Sequence, residues 1–234
     1  DIPEGLLPDD AAEADEAQPI VANPTLPVLQ VEEGQLGALL SEHAALGGAL
    51  EADGTWAHGA SEFLGLVIAT ASATLDIAES SMNDEDRRAL ARWLSNSVIP
   101  KWTLDSKELA HVLRGAGFKL RGLEVDLSLA EFLCRPGQRP ADVAGLAMRH
   151  LHEEFPELEK KPTPGALHED LLGRARAEYR LTPILARDMD AHETRDIHDE
   201  LELPLSRVLT EMEAAGIAVD ASELDRLDAM HEER

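Results

Sequence analysis

The histidine and cysteine side chains that could bind a metal ion or act as a nucleophile do not form a recognisable site in this sequence. His150 and His152 stand two residues apart in a predicted helix, so they point away from each other and do not form a zinc pair. Cys134 has no second cysteine and no suitable histidine partner, which favours a small buried apolar side chain over a reactive thiol. No glycine loop of the phosphate-binding kind occurs. Carboxylates are therefore the main candidates for chemistry.

The carboxylates are numerous and unevenly placed. The 234 residues include 46 Asp and Glu against 21 Lys and Arg, and the first basic residue is Arg87. Residues 1–86 carry 18 acids and no Lys or Arg, a charge of -18, whereas the rest carries 28 acids against 21 bases, or -7. Because Lys and Arg supply most of the contacts to a phosphate backbone, the first part of the chain is expected to repel nucleic acid. Either this is simply a solvated acidic surface, or selection for gripping a DNA strand has been lost.

The elements that must position these carboxylates follow a simple order along the chain. Strands come first and helices later, which predicts an α/β or α+β fold with helices covering a mixed sheet. The predicted strands span residues 26–31, 47–52, 63–70, 73–78 and 98–102, of which the third and fourth form a hairpin. The predicted helices span residues 32–45, 83–94, 106–115, 127–134, 141–152 and 167–191, with a loop at 154–164.

Composition also indicates the character of the first residues and the cellular location of the protein. Residues 1–24 hold seven acids and no base, a composition typical of an acidic linker between domains. One cysteine excludes an internal disulfide, and no apolar run is long enough to span a membrane. We expect a cytoplasmic protein with no membrane partner.

A stretch near the end, Glu202–Asp220, is the most specific pattern in the sequence. Apolar residues recur at helical spacing, Gly216 is placed to end that helix, and Asp220 followed by Glu223 indicates a capping box that opens another. The amphipathic helix is expected to bury its apolar stripe, which is made of Leu205, Val208, Leu209 and Met212.

The same stretch resembles the opening of the polymerase domain in the bacterial DNA polymerase I family (family A). It matches the pattern Glu-x-Pro-Leu-x-x-Val-Leu-x-x-Met-Glu-x-x-Gly-Ile-x-Val-Asp position by position. The resemblance implies that residues 25–199 form a 3′-to-5′ exonuclease-like domain of RNase H-like (DnaQ-like) α/β fold, in which helices cover a mixed sheet. Residues 200–234 would then be the start of the polymerase domain.

The family's exonuclease holds two divalent ions with carboxylates supplied by three motifs. The first motif is Asp-x-Glu on a strand. When the register is set by the next strand, the resemblance places Leu50 and Ala52 at the two acid positions. A slip by one residue places Glu51 and Asp53 there in reversed order, and only one of the two registers can face the site. We favour the register without the slip.

The second motif is Asn-x-x-x-Asp on a helix. The segment 120–126 resembles the family's downstream sequence and places Asp105 at the asparagine and Leu109 at the catalytic aspartate. Leucine cannot bind a metal ion. Asp126 matches a family aspartate, but a helix cap for residue 127 onward is the preferred interpretation.

The third motif is Tyr-x-x-x-Asp, and the matching segment places Ala175 and Tyr179 at its two positions. Glu178 is adjacent to the required position but is expected to point about 100° away around the helix. All three motifs therefore depart from the family pattern, with no catalytic, metal-binding or cofactor-binding residue retained.

We therefore expect a vestigial exonuclease-like domain that serves as a structural spacer and buttress for a parent DNA polymerase. The parent would use magnesium and would contain the remaining polymerase domain and a flap-nuclease domain as partners. DNA would be bound through the parent, weakly or not at all by this part. Two alternatives remain: a still-active exonuclease with a displaced two-metal site at Glu51, Asp53 and Asp105, and a stand-alone interaction domain.

Overall fold

A six-stranded mixed sheet organises the chain, as seen in a computed structural model that describes residues 26–57, 59–138, 142–155, 164–218 and 220–232. The strand order is β1-β4-β3-β2-β5-β6, with β2, β3 and β4 antiparallel and the other pairs parallel. The strands are β1 Val28–Gln30, β2 Gly48–Ala57, β3 Ala60–Ala69, β4 Thr74–Ala78, β5 Lys101–Thr103 and β6 Leu123–Asp126. The predicted mixed α/β architecture is confirmed. The linker predicted at 1–24 lies outside the described residues.

Helices cover both faces of this sheet. They are α1 Leu36–His43, α2 Asp84–Ser95, α3 Ser106–Gly115, α4 Leu127–Cys134, α5 Val143–Leu146, α6 Pro164–Ala191, α7 Arg195–Ile197, α8 Leu203–Ala215 and α9 Ala221–Glu232. In addition, a 3-10 turn spans Glu79–Ser81, and π-helical turns span Ala147–Leu151 and His198–Glu202. No helix within the described residues combines the length and apolar character needed to cross a membrane.

Side-chain alternation along the central strands divides the core in two. On one face Leu50 and Ile68 pack against α1, α2 and α3 in the larger cluster. On the other face Ala49 and Val67 pack against Leu172 of α6. Each central strand is therefore buried on both sides, and β2 lies between α3 and α6.

Helix caps explain where three of the helices begin. Asn83 accepts hydrogen bonds from the amides of Glu85 and Asp86 and forms a complete capping box with Asp86. Asp105 caps α3, and Asp126 caps α4 by accepting from the amide of Leu129. The predicted cap at residue 126 and the predicted start of a helix near residue 83 are confirmed.

Three predicted elements differ from the structure. The strand predicted at 98–102 begins only at Lys101, since Pro100 has no amide hydrogen to donate to a ladder. Strand β6 was not predicted from the sequence, and it pairs only with β5. The helix predicted over 141–152 is interrupted, because its second half is a π-helical turn in which Arg149 and His150 both contact the buried carboxylate of Glu131.

Helix α8 also differs in the face that it buries. It ends at Ala215 as predicted, and Gly216 follows with φ 67°, a conformation that glycine adopts without a Cβ penalty. The apolar stripe, however, is exposed within the described residues, at fractions between 39% for Leu209 and 63% for Met212. The prediction that this stripe is buried is wrong for this part of the chain, because α8 packs on α3 through its polar face instead.

Candidate functional site

A cavity of about 550 Å³ runs along β2 between α3 and α6. Its floor is mostly apolar, and its walls carry five acids against one arginine and one histidine. The charged and histidine side chains are Glu51, Asp53, Asp105, Glu108, Asp170, Arg174 and His168. The cavity is therefore strongly acidic.

Strand β2 presents the residues of the two possible registers, Leu50/Ala52 and Glu51/Asp53, to opposite faces of the sheet. Leu50 is fully buried and pairs with Ile68, in the core formed with α1, α2 and α3. Ala52 packs against that same core at the edge of the cavity. Glu51 pairs with Val67, whose side chain lies on the α6 face, and both Glu51 and Asp53 line the cavity. The acids of β2 thus face α6, whereas Leu50 and Ala52 face α3.

Helix α3 supplies the two positions predicted from the second motif. Asp105 lines the cavity, but its Oδ1 also accepts hydrogen bonds from the amides of Lys107 and Glu108, at 3.0 Å and 2.9 Å. Leu109, one turn later, is buried in the core and lines the cavity with an apolar side chain. The structure brings Asp105 and Leu109 to the same cavity as Glu51 and Asp53.

Helix α6 carries the third motif and places its residues differently. Ala175 is buried against Ala49 in the sheet, and Tyr179 contacts Trp102 edge to face at 5.7 Å between ring centroids. Neither residue lines the cavity within the described part of the chain. Glu178, which was expected to point about 100° away from the position of Tyr179, does not line the cavity within the described residues; its side chain is fully buried against the sheet next to Glu51.

The electrostatics of this region centre on one arginine and two glutamates. Arg174 donates from Nε to Oε1 of Glu51 at 2.8 Å. Burial raises the pKa of Glu178 well above its ordinary value, and the nearby charge of Glu51 raises this pKa further. Arg174 and Glu178 are four residues apart and therefore lie on one face of the helix. This spacing is the signal in the sequence that could have revealed that the two side chains are neighbours.

These side chains do not fit the two-metal site that the family resemblance implies. Across the described ranges, no three His, Cys, Asp or Glu side chains converge where they could hold a metal ion. The acid best placed for such a role, Glu51, already has Arg174 as its counter-ion. A divalent ion would have to displace that guanidinium and ionise Glu178.

A second polar cluster, which the sequence did not reveal, joins α3 to α8. Glu213 of α8 binds Lys107 through one carboxylate oxygen at 2.8 Å and His111 through the other at 2.9 Å. His111 is only 2% exposed and stacks on Trp56 with ring centroids 3.8 Å apart. The hydrogen bonds from Lys107 and His111 lower the pKa of Glu213. We call this set of contacts the α3–α8 junction, which also includes Arg114–Glu211 and Ser106–Ser206.

The histidines and the cysteine considered first have structural surroundings. His150 contacts the carboxylate of Glu131, and burial lowers the pKa of this histidine. His152 ends the π-helical turn with φ 57°. Cys134 is buried in the core between α4 and α6, as the sequence predicted.

Sequence comparison relates the chain to known polymerases. Residues 50–159 match the family described as "DNA polymerase I, ribonuclease H-like domain". DNA polymerase I of Mycobacterium leprae is 33% identical over 215 residues, which is 85% of this chain and 23% of that protein. DNA polymerase I of Bacillus subtilis is 34% identical over 150 residues, or 60% of this chain and 17% of that protein. The chain thus spans about a quarter or less of the length of these relatives.

Solved structures agree with this relationship. The POL domain of Pol1 from M. smegmatis, solved in complex with DNA primer-template and dNTP, has a TM-score of 0.76 and 32% identity, covering 88% of this chain and 35% of that one. Escherichia coli RNase D, an exoribonuclease, shares the fold at a TM-score of 0.61 and 16% identity, covering 82% of this chain and 52% of that one. The strand order, the exonuclease-like fold and these matches together place the chain in the bacterial DNA polymerase I family, as its RNase H-like, exonuclease-like domain.

Proposed function

We propose that this exonuclease-like domain has lost catalysis and acts as a structural spacer and buttress within a DNA polymerase I. The observation that carries the proposal is the bond from Arg174 to Glu51, the acid best placed to bind a metal ion. A hydrolytic two-metal mechanism needs several carboxylates free to bind the ions and a water molecule between them. Here one acid has an internal counter-ion and its neighbour Glu178 is fully buried.

The charge of the cavity supports the same proposal. A nuclease must hold the phosphates of its substrate next to its metal ions, which requires compensating positive charge. The cavity walls carry five acids and only one arginine, and that arginine is engaged with Glu51. The whole chain carries -25. We therefore expect little affinity for single-stranded DNA in this domain, with DNA held through the other domains of the parent polymerase.

The spacer role is supported by the face through which α8 packs on α3. Its polar face is tied to α3 at the α3–α8 junction, while its apolar stripe faces outward within the described residues. Exposed apolar stripes of this kind mark interaction surfaces. The matched region is 23% and 17% of the two relatives named above, and the occupant that we propose for this stripe is the polymerase domain of such a parent protein. Magnesium would serve that polymerase domain.

The direct test is an exonuclease assay on a DNA primer with a mispaired 3′ end, with Mg²⁺ or Mn²⁺. We expect release of the terminal nucleotide at the rate measured without protein. Glu51→Gln and Asp105→Asn should leave that rate unchanged, as should Glu42→Gln, whose side chain is 72% exposed and does not line the cavity.

The competing function is an exonuclease with a displaced site, and one observation favours it: Glu51, Asp53 and Asp105 do line the same cavity. Metal-dependent digestion that is abolished by Glu51→Gln and by Asp105→Asn, but not by Glu42→Gln, would establish that function and overturn the loss of catalysis.

A further inference from the structure

The carboxyl group of Glu178 lies in the interior without a hydrogen-bond donor. The residue is fully buried, and neither Oε1 nor Oε2 has a hydrogen-bond partner among the described residues. The backbone amide of Leu104 offers only a contact outside hydrogen-bond geometry. An ionised carboxylate in this place would give up its hydration and gain no hydrogen bond in return.

The nearest ionisable neighbours of Glu178 make ionisation still less favourable. Its carboxyl group contacts that of Glu51, and both groups are acceptors unless one carries a proton. A single guanidinium, that of Arg174, is bonded to this pair, and it contacts Glu51. Two ionised carboxylates with one positive charge would leave a net negative charge beneath α6. Carboxyl pairs of this kind commonly share a proton.

We propose that Glu178 is held as a neutral carboxylic acid whose O–H group donates a hydrogen bond to Glu51, and that this bond and the Arg174–Glu51 ion pair together join α6 to β2. The inference deepens the proposed function and rests on it, since a neutral acid bonded to Glu51 cannot serve as a magnesium ligand. It assigns a role to the acids that remain in the cavity: they fasten α6 to β2.

Other charged groups on the elements around α6 are satisfied elsewhere. From β4, Asp76 is bonded to His168; from α4, Glu131 is bonded to Arg135 and contacts His150. From β5, Lys101 points to the opposite face of the sheet, where its ammonium lies over the ring of Trp93. From α6 itself, Arg180 is bonded to Glu153 and Arg176 to Thr74. Among the charged groups of the described residues, only Glu51 and Arg174 act directly on Glu178.

The proposed arrangement makes the attachment of α6 sensitive to alkaline pH. Burial is the main cause of the raised pKa of Glu178, followed by the charge of Glu51, while Arg174 opposes the shift. Because the folded-state pKa lies above the unfolded-state value, the stabilisation is fully present below the unfolded-state pKa. It is lost as the pH rises through the folded-state pKa.

Infrared spectroscopy of the chain at neutral pH, without DNA or metal, tests the protonation state directly. We expect a C=O stretching band of a protonated carboxylic acid in the unmodified chain. The band should vanish in Glu178→Gln and persist in Glu42→Gln. Absence of the band from the unmodified chain overturns the proposal, and this measurement does not depend on any variant folding.

Thermal unfolding across a pH series gives a second readout. Glu178→Gln keeps a donor for Glu51 but cannot ionise, so its Tm should fall less than that of the unmodified chain between about pH 5 and about pH 9. Parallel curves for the two proteins contradict the inference.

The two proposals fail in different ways. Release of terminal nucleotides together with an intact infrared band overturns the loss of catalysis and leaves the neutral Glu178 in place. A missing band without any nuclease activity overturns only the shared proton.

Discussion

The cavity beside β2 and the α3–α8 junction are both built from charged residues, yet they use charge in opposite ways. In the cavity, acids outnumber bases and Arg174 is shared by buried carboxyl groups. At the junction, Glu213 meets Lys107 and His111, one with each carboxylate oxygen, and the Glu213 and Lys107 side chains are partly exposed. The first arrangement places more carboxyl groups than cations in a partly enclosed space. The second is a complementary contact of the kind that fixes the orientation of one element on another.

The largest effect on stability is expected from returning an acid to the first motif at position 50. Leu50→Asp places a charge in a fully buried position with no counter-ion, so we expect a loss of about 4 kcal/mol or more in the free energy of unfolding. Chemical denaturation measures this loss, with Asp53→Asn, at an exposed position of the same strand, as the control.

A different result would be informative. A stable Leu50→Asp chain whose Tm rises on addition of Mg²⁺ would mean that Leu50 stands at a site still able to bind metal, contrary to its packing in the core.

A smaller effect is expected from removing the internal cation. Arg174→Met leaves Glu51 without its counter-ion beside Glu178. The Arg174 and Glu51 side chains are 33% and 13% exposed, between the surface and buried cases, so we expect a loss of about 2 kcal/mol. Adding Glu51→Gln should restore part of it, and denaturation curves of both variants measure the coupling.

The matched control for this prediction is Arg226→Met, which removes the exposed pair with Glu223. We expect that variant to change stability by less than about 0.5 kcal/mol. Equal losses for Arg174→Met and Arg226→Met would remove the distinction between an internal cation and an ordinary surface pair.

The smallest effect belongs to the α3–α8 junction and depends on pH. The pKa of Glu213 is lowered in the folded chain, so its contribution is present above the unfolded-state pKa and lost as pH falls through the folded-state value. Glu213→Gln should therefore lower Tm at neutral pH and have no effect under strongly acidic conditions. Added salt should reduce the difference at neutral pH. Glu200→Gln, at an exposed residue, should show neither trend.

Local signals explain which parts of this molecule can be predicted from sequence. Asn83 and Asp126 could be recognised as caps because their partners lie within three residues along the chain. The same holds for Gly216 as the end of α8. The apolar runs of β3 and β4 are long enough to be recognised as a hairpin. The resemblance of Glu202–Asp220 to a known family then identified the fold that such elements form.

The remaining features depend on contacts between distant residues. Glu213 and His111 are 102 residues apart, and nothing local marks either as a partner of the other. Glu178 looks like a surface acid until α6 is placed on β2. The four-residue strand β6 becomes a strand only because β5 lies beside it. The assignment of Leu50, Ala52, Ala175 and Tyr179 to the motif positions stays a prediction from the family resemblance.

The double contact of Glu213 also fixes the position of α8 along its own axis. A shift by one helical turn, about 5.4 Å, would separate its carboxylate from Lys107 and from His111 at the same moment. Because His111 is stacked on Trp56 of β2, it cannot follow the moving helix without breaking that stack. Helix α8 is thus held in one axial position relative to β2, and the residues that follow α8 start from that fixed position.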